Sequence, residues 1–124
     1  MLGLIVVGIL SFLHFYIAYF EMFAWESRGP AAFPTLDPSL FPETLALEFN
    51  QGLYNGFLAV GLAWSLFIQD RKWQFNVAVC FLLFVAVAGI VGAATVSGRI
   101  LVIQTVPAVL GLVLLIVSRM RAAG

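Results

Sequence analysis

The chain has 124 residues, 63% of them hydrophobic and 10% charged, and its mean hydropathy is +1.08. A soluble domain is about half apolar and about a quarter charged, so this composition excludes a disordered chain, a nucleic-acid binder and nearly every soluble enzyme. Six Lys/Arg balance six Asp/Glu, which leaves no basic excess to hold a phosphate backbone. The length admits a single domain over residues 1–124.

Four apolar runs follow one another, each near the ~20 residues needed to cross a bilayer. The first covers residues 2–23 and is broken by Ser11 and His14. It has no basic segment before it and ends in Glu21-Met22-Phe23-Ala24-Trp25-Glu26, a poor cleavage site, so it reads as a retained span. Residues 26–47 form a long loop whose Pro30, Pro34, Pro38 and Pro42 forbid one continuous helix. Within it, Asp37-Pro38 can start a short helix. The segment Glu43-Thr44-Leu45-Ala46-Leu47-Glu48-Phe49 either extends the second span or lies along the surface. The second, third and fourth spans are expected at residues 48–69, 73–96 and 100–118. Tight hairpins at Gln69-Asp70-Arg71-Lys72 and Ser97-Gly98-Arg99 join them. In lipid each backbone must satisfy its own hydrogen bonds, so these runs are helices. The expected fold is an all-α four-transmembrane-helix bundle, with both termini on one side and a long outer loop between the first two helices.

Charge sets the expected orientation. The side with the termini and the first hairpin holds Arg71, Lys72, Arg119 and Arg121 against Asp70. The other side holds Arg28 and Arg99 against Glu21, Glu26, Asp37, Glu43 and Glu48. Cytoplasmic loops collect Lys and Arg, so both termini are expected in the cytoplasm and the protein in the plasma (inner) membrane.

Polar residues inside spans are costly and turn to the bundle interior. At about 100° per residue, Ser11, His14, Ala18, Glu21 and Trp25 share a face of the first span. Glu48, Gln51 and Asn55 share one on the second, with Tyr54 beside it. Thr95 aligns with Ala88 and Gly92, and Gln104 with Ala108 and Gly111. Glu21, Gln51, Thr95 and Gln104 all stand at the outer end, with Asn55 one turn below and His14 at mid-depth as the floor. The pattern predicts a polar pocket opening outward. Glu21 is its candidate acid or base and His14 the partner base or proton relay. Gln51, Asn55, Thr95 and Gln104 orient a polar head, and Trp25 and Tyr54 stack on it. A structural reading stands beside this one. Gln51, Asn55 and Gln104 can glue helices together at about 1 kcal/mol each, Thr95 can bond its own helix, and Glu21 can simply be hydrated.

The motif Gly52-Leu53-Tyr54-Asn55-Gly56 and the pairs Gly89/Ala93 and Ala88/Gly92 have small-x-x-x-small spacing, which serves folding of one chain or a homodimer equally well. Cys80 is alone, so it builds neither a disulfide nor a metal site and reads as a small buried hydrophobe. One His without a second His or any paired Cys argues against zinc or haem, and no cofactor is expected. No P-loop, nucleophile elbow or dinucleotide fingerprint occurs.

The blocks Glu-Met-Phe-Ala-Trp-Glu at 21–26, Asn-Gln-Gly-Leu-Tyr-Asn-Gly-Phe-Leu-Ala at 50–59, Gly-Ala-Ala-Thr-Val at 92–96 and Gln-Thr-Val-Pro-Ala at 104–108 resemble the family called domain of unknown function 1304. The resemblance covers essentially the whole chain, and the chain is also similar to the broader DoxX-like group of four-helix membrane proteins. It implies a small four-span integral membrane protein and no particular reaction. Three functions remain open on the sequence. The first is binding, or acid–base transformation, of a small lipophilic molecule of isoprenoid or steroid type. The second is a proton-coupled multidrug-type transporter. The third is a non-catalytic accessory subunit of a membrane complex. The expected partners are the lipid bilayer, such a ligand and a second copy of the chain, with no nucleic acid among them.

Overall fold

An apolar chain satisfies its backbone most simply by coiling. The computed structural model describes residues 1–124 and contains helices and no strands. The helices are α1 (Leu2–Phe23), α2 (Trp25–Ala32), α3 (Leu40–Glu43), α4 (Leu45–Phe67), α5 (Arg71–Thr95) and α6 (Val106–Ala123), with a π-helical turn at Leu101–Thr105 leading into α6. Three segments, Leu2–Phe23, Arg71–Thr95 and Leu101–Ala123, are long and apolar enough to cross a membrane. Helix α4 has 23 residues, but Glu48, Asn50, Gln51 and Asn55 in its first half lower its hydropathy.

The segment 26–47 is less of a loop than expected, since α2 and α3 both lie in it. Thr44 starts α4 ahead of the expected residue 48, so the stretch after Glu43 continues that helix. The short helix begins at Leu40 rather than at Pro38. Asp37 makes a local turn instead: its Oδ1 accepts from the Ser39 backbone N–H at 2.9 Å and from the Ser39 hydroxyl at 2.8 Å. The Ser39 N–H, and then its hydroxyl, hold this exposed carboxyl below the usual carboxylate range. At the α4–α5 hairpin, Asp70 accepts from Trp73 N–H at 3.0 Å and caps α5.

Helix α1 packs along α4, α6 crosses α1, and α5 packs on α4, α6 and the π turn. The core is Val7, Leu10, Leu62, Ala78, Leu82, Val85, Ala86, Ala108 and Leu115. It runs from the end where Gly3 meets Leu115 to Ala86 and Ala108 beside the π turn. The glycine pair on α4 serves this packing within one chain. A Cβ at Gly52 would stand 2.6 Å from Met22 Cγ and 3.0 Å from the Ala18 carbonyl, and Gly56 faces Ala18. Large apolar side chains such as Phe12, Phe23 and Phe67 point outward, as suits a surface facing lipid rather than water. Cys80 is also exposed, which corrects its reading as a buried hydrophobe. Ala78, Leu82 and Val85 take the inward positions of α5, and Cys80 falls about 200° from Ala78 and Leu82 around the helix.

Candidate functional site

The site begins with a contact between α1 and α4. Glu48, Gly52 and Asn55 recur at helical spacing, so they share a face. Gly52 lets α1 come close enough for its Glu21 to be reached. Asn55 Nδ2 donates to Glu21 Oε1 at 2.6 Å. The Glu48 carboxyl lies within hydrogen-bonding reach of the same Glu21. Glu21 and Asn55 are only 8% and 7% exposed, so the pair is buried and mutually satisfied.

The opposite wall is shaped by Pro107. Proline has no N–H, and its ring clashes with the carbonyl four residues back, here Ile103. The chain widens by a π turn, with the Val106 N–H donating to the Leu101 carbonyl. The turn sends Thr105 inward, where its hydroxyl donates to the Ala86 carbonyl at 3.0 Å. Thr105 occupies the space that a Cβ on Gly89 would need. Gln104, next to it, is half-buried and turned to the open space between the helices.

Aromatic residues cover the end. The Trp25 indole N–H donates to the Thr44 hydroxyl at 2.9 Å. Its ring lies 5.0 Å from that of Phe41, 5.8 Å from that of Phe33 and 6.0 Å from that of Phe20. Phe41 is 1% exposed and sits where Gly29 lacks a side chain. This cluster holds α2 and α3 against the ends of α1 and α4. Arg99, in the turn after α5, donates through Nη2 to the Ala32 carbonyl at 2.9 Å. A cation on the last carbonyl of α2 is favoured by the helix dipole.

Between these walls lies a cavity of about 1300 Å³, lined by 29 residues, 19 of them hydrophobic. Glu21, Trp25, Gln51, Tyr54, Asn55, Thr95 and Gln104 all line it. His14 does not. The α1 residues lining the cavity at that depth are Leu13, Tyr16 and Ile17. The His14 ring is wholly buried, Nδ1 lies 2.8 Å from the Leu10 carbonyl, and Nε2 has no partner. Nδ1 therefore carries the proton, and Nε2 is a free acceptor. The expected floor of the pocket is instead aliphatic and aromatic.

Of the three amides considered as glue between helices, Asn55 alone makes a bond to another helix. Thr95 donates to the Val91 carbonyl of its own helix at 2.7 Å while it lines the cavity. Two charged lining residues, Glu48 and Arg99, are not among the expected site residues. Glu48 carried a signal, its shared face with Gln51 and Asn55. Arg99 lies in a turn, where helical periodicity says nothing.

Residues 8–116 match a family described as "Protein of unknown function (DUF1304)". The chain is also similar to the "Uncharacterized protein YpaA" of Lactococcus lactis subsp. lactis (strain IL1403). The two are 29% identical over 101 residues, which is 80% of this chain and 83% of that protein. No solved structure matches the chain. A match that starts in α1, ends in α6 and takes in every wall of the cavity makes this chain a member of the DUF1304 family.

Proposed function

We propose that this protein is a four-helix transmembrane bundle of the plasma membrane that binds a small lipophilic molecule by its polar head. In this reading residues 1–124 form one domain and α4 is the remaining span. All four polar side chains that lower its hydropathy, Glu48, Asn50, Gln51 and Asn55, line the cavity, so they need not meet lipid. The excess of Arg and Lys near the termini and the α4–α5 hairpin supports cytoplasmic termini, with α2 and α3 outside.

The observation that carries the ligand is the cavity itself. Its volume, about 1300 Å³, is above the roughly 300–1,000 Å³ common for ligand sites, which suits an elongated or polycyclic molecule. Its wall is mainly apolar, with the Glu21–Asn55 pair, Gln51 and Gln104 as convergent polar groups, the composition expected of such a site. Binding fits better than acid–base turnover, because the nearest ionisable neighbour of Glu21 is another carboxyl and His14 is outside the lining.

Native mass spectrometry of the protein taken directly from its membrane tests this. The expected result is a bound lipophile other than the bulk phospholipids, diminished in Ala88→Trp, whose indole takes up part of the cavity. A wild type that carries only bulk lipid, or an Ala88→Trp variant that keeps the same adduct undiminished, overturns the proposal.

A further inference from the structure

We infer that the head group this cavity accepts is a cation, an alkyl- or aryl-substituted ammonium, held by Glu21 and Glu48. The inference rests on the cavity being a binding site, and it names the chemistry of the guest.

The ionisable groups facing the space are few, and each can be named. Helix α1 supplies Glu21 and Tyr16, α4 supplies Glu48 and Tyr54, and the turn after α5 supplies Arg99. The lining residues of α5 and the π turn are uncharged, Thr95 and Gln104 being the polar ones. The single cation already has a partner, the Ala32 carbonyl. The two carboxyls instead have each other. Two ionised carboxyls this close in a mostly apolar wall repel each other, and one positive charge between them, a proton or a cation, removes that cost. The pair is therefore built around a single positive charge. A hydroxyl or carbonyl head can hydrogen-bond to the pair but leaves its charge uncancelled, and an anionic head would meet it as a like charge.

The surroundings suit the same guest. Phe20, Trp25 and Tyr54 line the cavity with the carboxyls, and aromatic faces attract ammonium groups, most of all where water is scarce. Asn55 holds the Glu21 carboxyl in place through Oε1. The apolar remainder of the lining receives the hydrocarbon part. Binding is an exchange: the ammonium enters, the shared proton leaves to solvent, and the net charge of the pair with its cation is unchanged.

The test uses the full chain in phosphatidylcholine nanodiscs and three probes with one tail: decyltrimethylammonium, decanol and decanoate. Calorimetry is referenced to empty nanodiscs and run in two buffers of different ionisation enthalpy at neutral pH. Decyltrimethylammonium is expected to bind saturably, about tenfold or more tighter than the other two. It should release a proton, which a quaternary ammonium cannot itself supply. Glu21→Gln and Glu48→Gln should each weaken it about tenfold or more and leave decanol unchanged. Glu48 is only half-buried, so Glu48→Gln carries the test if Glu21→Gln fails to fold. Tighter binding of decanol or decanoate, or cation binding without proton release, overturns the cationic head and leaves the cavity reading standing. If no probe binds saturably, both fall.

Discussion

Asn55 and His14 both place nitrogen inside the helix packing, but only Asn55 has its donor engaged with another helix. An unpaired buried acceptor such as His14 Nε2 costs about 1–3 kcal/mol. Replacing it by an apolar group of similar size removes that cost, since the Leu10 carbonyl keeps its place in the helix. His14→Leu is therefore expected to unfold at the same temperature as the wild type or higher, measured by thermal denaturation in detergent. A loss beyond about 1.5 kcal/mol, the usual limit for volume-conserving swaps, would mean that Nε2 has a bound partner. At this scale the sequence is informative where a helix fixes the azimuth. Glu21, Gln51, Asn55 and Gln104 reach one space because their spacing turns them to it. Periodicity gives direction around a helix and says little about how far a side chain reaches, which is why His14 reads as lining and sits outside the cavity.

The π turn is the element that most changes the site relative to a regular fourth helix. Pro107 is plain in the sequence, but a proline inside a helix can kink it, end it or widen it. The contact of Thr105 with Ala86 and Gly89 comes from a distant part of the chain, so no local pattern announces it. If the proline sets the turn, Pro107→Ala restores the missing donor and closes it to a regular α-turn. Gln104 should then rotate by about 100°, one residue's worth. Spin labels at positions 104 and 54 should report this as a changed distance. An unchanged distance assigns the turn to the Thr105–Gly89 contact instead. The segment 26–47 was obscured for a similar reason. Its prolines do forbid one long helix, yet α2 and α3 form because Trp25, Phe33 and Phe41 pack on each other, a tertiary contact that composition does not encode.

For the molecule as a whole, helix content was legible in the sequence, since a chain this apolar has few ways to satisfy its backbone, and three of the four expected spans fall on helices long and apolar enough to cross a membrane. Orientation rests on four basic residues against two, and it has its own test. In a Cys80→Ala background, Ser39→Cys should react with a membrane-impermeant maleimide in intact cells, and Gln69→Cys should react only after the membrane is opened. The opposite pattern inverts the bundle. One feature of the packing bears on what such a protein can do with a guest. Val7, Leu10, Leu62, Leu82 and Ala108 are completely buried, and none of them lines the cavity. Leu13, Leu58 and Phe81 line the cavity and also pack against this core, so the core backs that part of its wall. In this conformation a guest that meets that wall finds close-packed side chains and no passage through them.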